Sequence, residues 1–395
     1  MTAGQTPHAM LVQPDHDDYV RQCYVADLRL QMLNNFGAGM KDIYQRRVKP
    51  EFEKTHDRAP RDKREVHQIM MRDPYTRTWS SMMRAMQEMM WDAVLPGIER
   101  ERTVLAAKAS AASSEYSTLK LDPAVEPPYY ARAIDIHCMP GGYFGMEGEH
   151  DVTAGALYDR GVYVYQMGLA GGLADGIGRS VAEFIRRRYP DLNARAILDV
   201  GCTVGHNTGP FCDVFPAARV HAIDASKPLL RYAHARAESL QLPIHFEQMD
   251  ARHMSYPDES FDIVFSCILF HETSHSAHRE ILKEIRRVLK PGGININMEL
   301  PPNESLDPYD GFQIDWDAYY NNEPYYAANT STDVKALMAE VGFGADNFFE
   351  WLIPDFYFAP RQDFEAAAKA EQHTYSETGR WGEIVHWYGY GARKS

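Results

Sequence analysis

Residues 197–209 read Ile-Leu-Asp-Val-Gly-Cys-Thr-Val-Gly-His-Asn-Thr-Gly, a short apolar run that ends in an acid, Asp199, and enters a turn punctuated by glycine. Gly201 and Gly205 let the backbone approach a ligand closely and turn sharply into a helix. A dinucleotide site would place G-x-G-x-x-G here, to seat a pyrophosphate on the helix N-terminus. A carboxylate at 199 is a poor neighbour for pyrophosphate and a good one for an ammonium group. That favours S-adenosylmethionine, a nucleoside carrying an amino acid end, over a nicotinamide dinucleotide. Asp224 closes the next apolar run, Val220–Ile223, where a carboxylate can accept both ribose hydroxyls in a fork. Asp250, followed by Ala251, ends the third run, where a carboxylate can accept from an adenine amino group. Each acid also has a plainer role open to it: Asp199 can cap its turn and Asp224 the helix that starts near 228.

A second group of residues could act on a substrate. His271-Glu272-Thr273-Ser274-His275 matches H-E-x-x-H letter for letter. That zinc chemistry needs both imidazoles on one helical face, one turn apart. Here the segment leaves the end of an apolar run, so His271 falls in a loop, and no metal is expected. His271 is instead expected to touch substrate, with a general base role open to it and Glu272 beside it, or else to pack over the cofactor. His278 adds a third imidazole nearby. Between about 301 and 331, acids and aromatics interleave, among them Asp307, Tyr309, Asp310, Trp316, Asp317, Glu323 and Tyr326. With Glu299 just before it, that stretch suits a cationic or zwitterionic small molecule, with Tyr309 and Trp316 as candidate contacts, or else it is an ordered loop most of whose rings pack on the helical domain. Upstream, His137 and Tyr143 flank a Pro-Gly-Gly turn and read as lid residues. Arg160 could hold a carboxylate bidentately.

Positioning these groups takes strands alternating with helices. Apolar runs at 196–200, 220–223, 244–248, 261–267 and 294–299 alternate with amphipathic segments at 180–189, 206–215, 228–240 and 275–288. A short helix near 251–254, a helix at 332–341, and late strands at 348–353 and 384–393 complete the pattern. This is an α/β architecture, a mostly parallel sheet with helices on both faces. Residues 16–113 are helical by spacing, as four or five helices with Pro50, Pro60, Pro74 and Pro96 near their ends. Residues 1–15 are expected to fray, and Ile134–His137 to form a short strand. The expected organisation is a helical domain at 1–115, a connecting or lid segment at 116–170, and a Rossmann-like domain at 171–395 with its insert at 301–331.

Leu198-Asp199-Val200-Gly201-Cys202, Asp224-Ala225-Ser226, Asp250-Ala251, Ser260-Phe261-Asp262 and Arg287-Val288-Leu289-Lys290-Pro291-Gly292-Gly293, in this order and spacing, resemble the class I S-adenosylmethionine-dependent methyltransferases of the small-molecule subgroup. The likeness covers roughly residues 175–300. It implies a seven-stranded sheet with the last strand antiparallel. It also implies a cofactor pocket made by Asp199, Gly201, Cys202, Thr203, Gly205, Asp224, Ala225, Asp250 and Ala251, with an aromatic upstream, Tyr158 or Tyr163, closing over it. The family usually has a third glycine where Thr203 stands. That departure keeps open a different reaction on the same scaffold, cleavage or cyclisation of the cofactor's amino acid side chain. A non-catalytic scaffold with a helical oligomerisation surface is a third reading, against which the retained acids argue.

The bulk numbers set the remaining bounds. The 395 residues are 45% hydrophobic and 24% charged, with a net charge of −14 and no long block of Lys or Arg. Nucleic acid and membrane are not expected partners. The five cysteines fit neither a disulfide framework nor a zinc site, which is the pattern of a reduced, cytoplasmic protein. The expected partner is a small-molecule substrate. A methionine-rich apolar stripe running from Ile69 through Trp79 to Met90 is expected to be helical core or to line a ligand groove, and an exposed face of it would favour a homodimer.

Overall fold

The computed structural model describes residues 4–145, 148–302, 306–371 and 386–395. Its centre is one eight-stranded sheet in the order β1-β4-β3-β2-β5-β6-β8-β7. The strands are β1 (Thr118–Lys120), β2 (Ala196–Val200), β3 (Arg219–Asp224), β4 (Ile244–Gln248), β5 (Phe261–Cys267), β6 (Leu289–Glu299), β7 (Phe348–Pro354) and β8 (His386–Arg393). β8 runs antiparallel to both β6 and β7, and the other ladders are parallel. Seven of these strands answer to the expected sheet. β1 adds an eighth at the edge, with Leu119 opposite Phe246. The expected start of the last strand, Ile384, lies outside the described residues.

Both faces of the sheet are covered, so the two central strands, β2 and β5, are buried along most of their length. On one face Val181, Phe184 and Ile185 of the helix Gly176–Arg188 pack on Ile197, Ile263 and Phe265. On the other, Ile281, Leu282 and Ile285 of the helix His275–Val288 pack on Leu198 and Val264. Strand order reverses between β2 and β5. The crevice beyond the carboxyl ends of the strands at such a switch point is where open α/β sheets bind ligands.

The N-terminal third differs from expectation in three ways. The helix His16–Gln31 continues through π-helical turns at Met32–Phe36 and Tyr44–Val48 and ends only at His56, so Pro50 lies inside one long rod. Pro96 sits within the 37-residue helix Pro74–Ser110. Residues 5–12 do not fray. Met10, Leu11 and Val12 are buried, and the Thr6 N–H donates to the Gly172 carbonyl over 2.7 Å. Apolar burial and a buried ionic hub hold this segment down. Ile134–His137 is not a strand but leads into a single 3-10 turn at Ile136–Cys138, and 251–254 is a turn, not a helix. Of the methionine stripe, Met83, Met86 and Met90 are buried in helical core, while Met89 is exposed. No helix among the described residues is long and apolar enough to cross a membrane.

The hub is Asp159, buried on the helix Thr153–Tyr165. It accepts from Gln5 Nε2 (2.9 Å) and the Tyr232 hydroxyl (2.7 Å), meets His206 Nε2 at 2.8 Å, and lies 3.0 Å from His8 Nε2. Burial alone would raise its pKa, but His206, His8 and Arg236 hold the carboxyl well below the usual range. One carboxylate thus ties the N-terminal segment and the helix 227–239 to the glycine turn, through His206. Removing one member of a buried ionic group leaves the others uncompensated, at about 3–5 kcal/mol. Asp159→Ala should lose about that much in urea unfolding. A change no larger than that of an ordinary surface substitution would show that the hub is not what holds the segment.

Candidate active site

A cavity of about 470 Å³ opens at the switch point. Its floor is the carboxyl edge of β2, β3, β4 and β5: Asp199, Gly201, Cys202, Thr203, Asp224, Ala225, Asp250, Ala251 and Cys267. Its roof comes from three other parts of the chain. The long helix supplies Gln87, Met90 and Trp91, the connector His137 and Tyr143, and the insert Asp317, Glu323 and Tyr326. Tyr158 and Tyr165 line it from the helix between. Trp91 reaches the cavity because Gly161 has no side chain. A Cβ there would fall 2.3 Å from the indole ring.

The floor is acidic, and it is short of cations. Asp199 is buried, and its Oδ2 accepts from the Thr208 hydroxyl. Asp224 accepts from the backbone N–H of Thr203 (3.0 Å) and of Ser226 (2.8 Å). No Lys, Arg or His pairs with either acid among the described residues. Burial, with the charge of Asp224 beside it, pushes the Asp199 carboxyl up to about 7. Burial raises Asp224 as well. A buried carboxylate beside a half-buried one, with no countercharge, is costly unless a cationic ligand joins them. Asp250 also lines the cavity, but Arg252 already engages both its oxygens, at 2.6–3.1 Å. Thr203 holds φ 49°, the left-handed region where a glycine is unstrained. Its N–H bond to Asp224 is what repays the threonine there.

The roof carries a chain of alternating acids and imidazoles. Glu299 Oε2 meets His271 Nδ1 at 2.8 Å, and His271 Nε2 lies 3.7 Å from Glu272 Oε1. The same Glu272 oxygen meets His137 Nε2 at 2.7 Å, and His137 Nδ1 meets Glu323 Oε1 at 2.8 Å. The Tyr143 hydroxyl donates to Glu272 over 3.2 Å. Burial alone would make both imidazoles weaker bases. The glutamates overcome it, raising His271 to about 9 and His137 further above its usual value. Burial and the charge of Glu323 likewise push Asp317 up to about 7. His271, held on Glu299 and protonated near neutral pH, is therefore not poised as the general base that its sequence position suggested.

Several expected contacts lie elsewhere. Arg160 points away from the cavity. Its guanidinium bonds Gln22 and Gln5 and stacks over Tyr163, which is buried in the helical core. Tyr309 stacks on Tyr44, and Trp316 packs edge-on against Trp79 while its indole N–H reaches Ser80, so both join helices instead of lining the pocket. Glu299 stands behind His271, bonded to it, to the Phe270 N–H and to Asn329. Gly205 shapes the turn with φ 78° and is not at the cavity wall. His275 begins the helix 275–288 while His271 sits in a separate 3-10 turn, so the two imidazoles do not share a helical face. Trp91 and Gln87 line the cavity and carry no local sequence signal, whereas Tyr165, which also lines it, stands in the aromatic run just upstream of the sheet. Asp317, Glu323 and Tyr326 stood within the interleaved stretch, but nothing in their spacing singled them out.

Comparison with known proteins bears on the floor. Residues 197–293 match the family model described as a methyltransferase domain. The demethylmenaquinone methyltransferase of Thermus thermophilus is 31% identical over 178 residues, which cover 40% of this chain and 80% of that protein. The chain belongs to the class I S-adenosylmethionine-dependent methyltransferases. A malonyl-[acyl-carrier protein] O-methyltransferase of Paenibacillus is similar at 24% identity, over 51% of this chain and 76% of that one. A Haemonchus contortus phosphoethanolamine N-methyltransferase structure aligns with a TM-score of 0.42 and 18% identity, over 60% of this chain and 57% of that one.

The methyltransferase's cofactor is S-adenosylmethionine, and the floor suits it in kind. An ammonium group would answer the unpaired Asp199, and hydroxyls could use the acceptors left on Asp224. In the free protein Asp199 is half protonated near pH 7, and an ammonium partner favours its charged form. Binding therefore expels a proton, and affinity rises with pH. We expect S-adenosylhomocysteine affinity, measured by calorimetry, to increase about tenfold from pH 6 to pH 8 and then to level off. Asp199→Asn should bind weakly, with little pH dependence. A flat profile in the unmodified protein would rule out Asp199 as the ammonium partner.

Proposed function

We propose that this methyltransferase acts on a small-molecule acceptor with an N, O or S nucleophile. The acceptor is enclosed between the sheet edge and a roof made by the N-terminal helices and the 301–331 insert. One observation carries the reading: a single cavity is lined both by Asp199 and Asp224 and by Trp91, His137, Asp317, Glu323 and Tyr326. Cofactor and acceptor would then share one enclosed space, which favours alignment of the reacting atoms and exclusion of water.

Bound S-adenosylmethionine supplies an electrophilic methyl group on a sulfonium. The chain's own residues do the rest. Asp199 and Asp224 hold the two ends of the adenosyl amino acid, while Cys202, Ala225, Asp250 and Ala251 line the space between. Tyr158 and Tyr143 are placed to cover it. At the acceptor end Glu272 is the group left to receive a proton, since its Oε2 is buried with no hydrogen-bond partner. His137 and His271 hold Glu272 in place. Cys202 and Cys267 are pushed by burial well above the usual thiol range and do not compete as nucleophiles. The acidic, aromatic roof supports an acceptor that is cationic or hydrogen-bond-donating.

Tyr326 lies against the His271 ring, with centroids 5.3 Å apart, at the roof end of the cavity. With a panel of amines, amino acids, thiols and phenols, the co-product identified by mass spectrometry should be S-adenosylhomocysteine. Methylthioadenosine would indicate side-chain cleavage instead. For the accepted substrate, Tyr326→Ala should raise the acceptor KM at least tenfold and leave the cofactor KM within twofold. Equal changes in both would remove the roof from the acceptor site.

A further inference from the structure

Three side chains from three separate segments converge at the roof. His137 comes from the connector, Glu272 from the loop after β5, and Glu323 from the insert. Each offers a ligand atom, and these atoms lie within 4.8 Å of one another. Both imidazole nitrogens of His137 are taken by carboxylate oxygens, at 2.7 and 2.8 Å. The donors nonetheless exceed what these contacts use. Glu272 Oε2 is buried without a partner, and so is Asn321 Oδ1. Asn321 is a wholly buried residue whose Nδ2 sits 2.7 Å from Glu323 and 3.2 Å from His137 Nδ1. Turning that amide over would aim its orphaned oxygen at the same spot. A cation placed between that oxygen, the carboxylate and the imidazole would satisfy all three at once.

The backbone is shaped to deliver these groups. His137, Cys138 and Asn322 all hold positive φ, at 55–58°, although none is glycine. The His137 carbonyl is pinned by the Trp91 indole N–H (2.7 Å) and by Gln87 (3.0 Å). Non-glycine residues in this region persist only where the surroundings over-determine them, and they gather at ligand sites. Charge balance points the same way. Glu272, Glu323, Glu299 and Asp317 surround two imidazoles, with Arg29 the one further cation acting on Asp317, so acids outnumber cations.

We propose that His137, Glu272 and Glu323, with the Asn321 amide oxygen as a fourth donor, bind one divalent transition cation in the roof of the cavity. A mixed imidazole and carboxylate set suits Mn²⁺, Fe²⁺ or Zn²⁺ better than Ca²⁺ or Mg²⁺, which take oxygen alone. The cation would replace the proton that now links His137 to a glutamate, so binding releases that proton to solvent. His271, oriented by Glu299 and 3.7 Å from Glu272, would hold the carboxylate from behind as an outer partner. Facing the same cavity as Asp199 and Asp224, the cation would bind the acceptor's nucleophilic oxygen or nitrogen and favour its deprotonated form, taking over in the metal-bound protein the proton-drawing role that Glu272 has without it. That role rests on the methyl-transfer reading; the site itself does not.

The test is titration of the chelator-treated full chain with MnCl₂, following free Mn²⁺ by electron paramagnetic resonance, with ZnCl₂ as competitor. The expected result is one Mn²⁺ per chain, displaced by Zn²⁺. Glu323→Gln and His137→Asn should each weaken binding at least thirtyfold. S-adenosylhomocysteine affinity, measured on the same preparations, should stay within threefold and serves as the control for folding. Absence of stoichiometric binding by either metal, or equal binding in the variants, would overturn the site. Failure of the cofactor to bind the unmodified protein would count against the methyl-transfer reading alone.

Discussion

The arrangement depends on buried carboxylates that the chain itself leaves without countercharges. Asp199 and Asp224 sit at the carboxyl edge of a fully covered sheet, where water is scarce and ionisation is costly. Among the described residues no basic side chain answers them. A folded chain keeps such groups when a ligand completes them. The glycine turn exists to expose them. At Thr203 the chain accepts a left-handed residue in exchange for an N–H bond to Asp224. The same logic repeats in the roof, where acids outnumber imidazoles around His137 and His271.

The two halves of the site are joined by contacts that run behind or alongside the cavity wall. Asp159 couples His206 of the glycine turn to the N-terminal segment and to the helix 227–239. Trp91 and Gln87 fix the connector by its backbone, and Gly161 makes room for the indole. Tyr309 and Trp316, which do not reach the cavity, lock the insert onto the N-terminal helices instead. Roof and floor are therefore coupled by packing, and a substitution in the helices far from the floor can move the roof.

The floor was legible in the sequence because its signals are local. Each strand ends in its functional residue within a few positions, and the glycines that shape the turn lie next to Asp199. The parallel sheet followed from the same alternation of runs. The roof was not legible, for a physical reason. Trp91 and Gln87 lie mid-helix, with no neighbouring pattern to mark which face meets a cavity. In the insert, aromatic and acidic residues alternate so densely that composition alone cannot separate Asp317, Glu323 and Tyr326, which face inward, from Tyr309 and Trp316, which brace the helices. Arg160 misled for a related reason. A guanidinium can pair with a carboxylate anywhere, and here two glutamines of the N-terminal third take it first. The three-residue β1 was missed because it is too short to show a period.

The central claim is that an adenosyl amino acid lies across the switch point, with its ammonium at Asp199 and its ribose at Asp224. A crystal structure of the chain with S-adenosylhomocysteine tests this most directly. The account predicts the amino group within hydrogen-bonding distance of the Asp199 carboxylate and both ribose hydroxyls on Asp224, with the sulfur turned toward Glu272 and Tyr326. A ligand seated elsewhere, or one whose amino group pairs with a different acid, would contradict it.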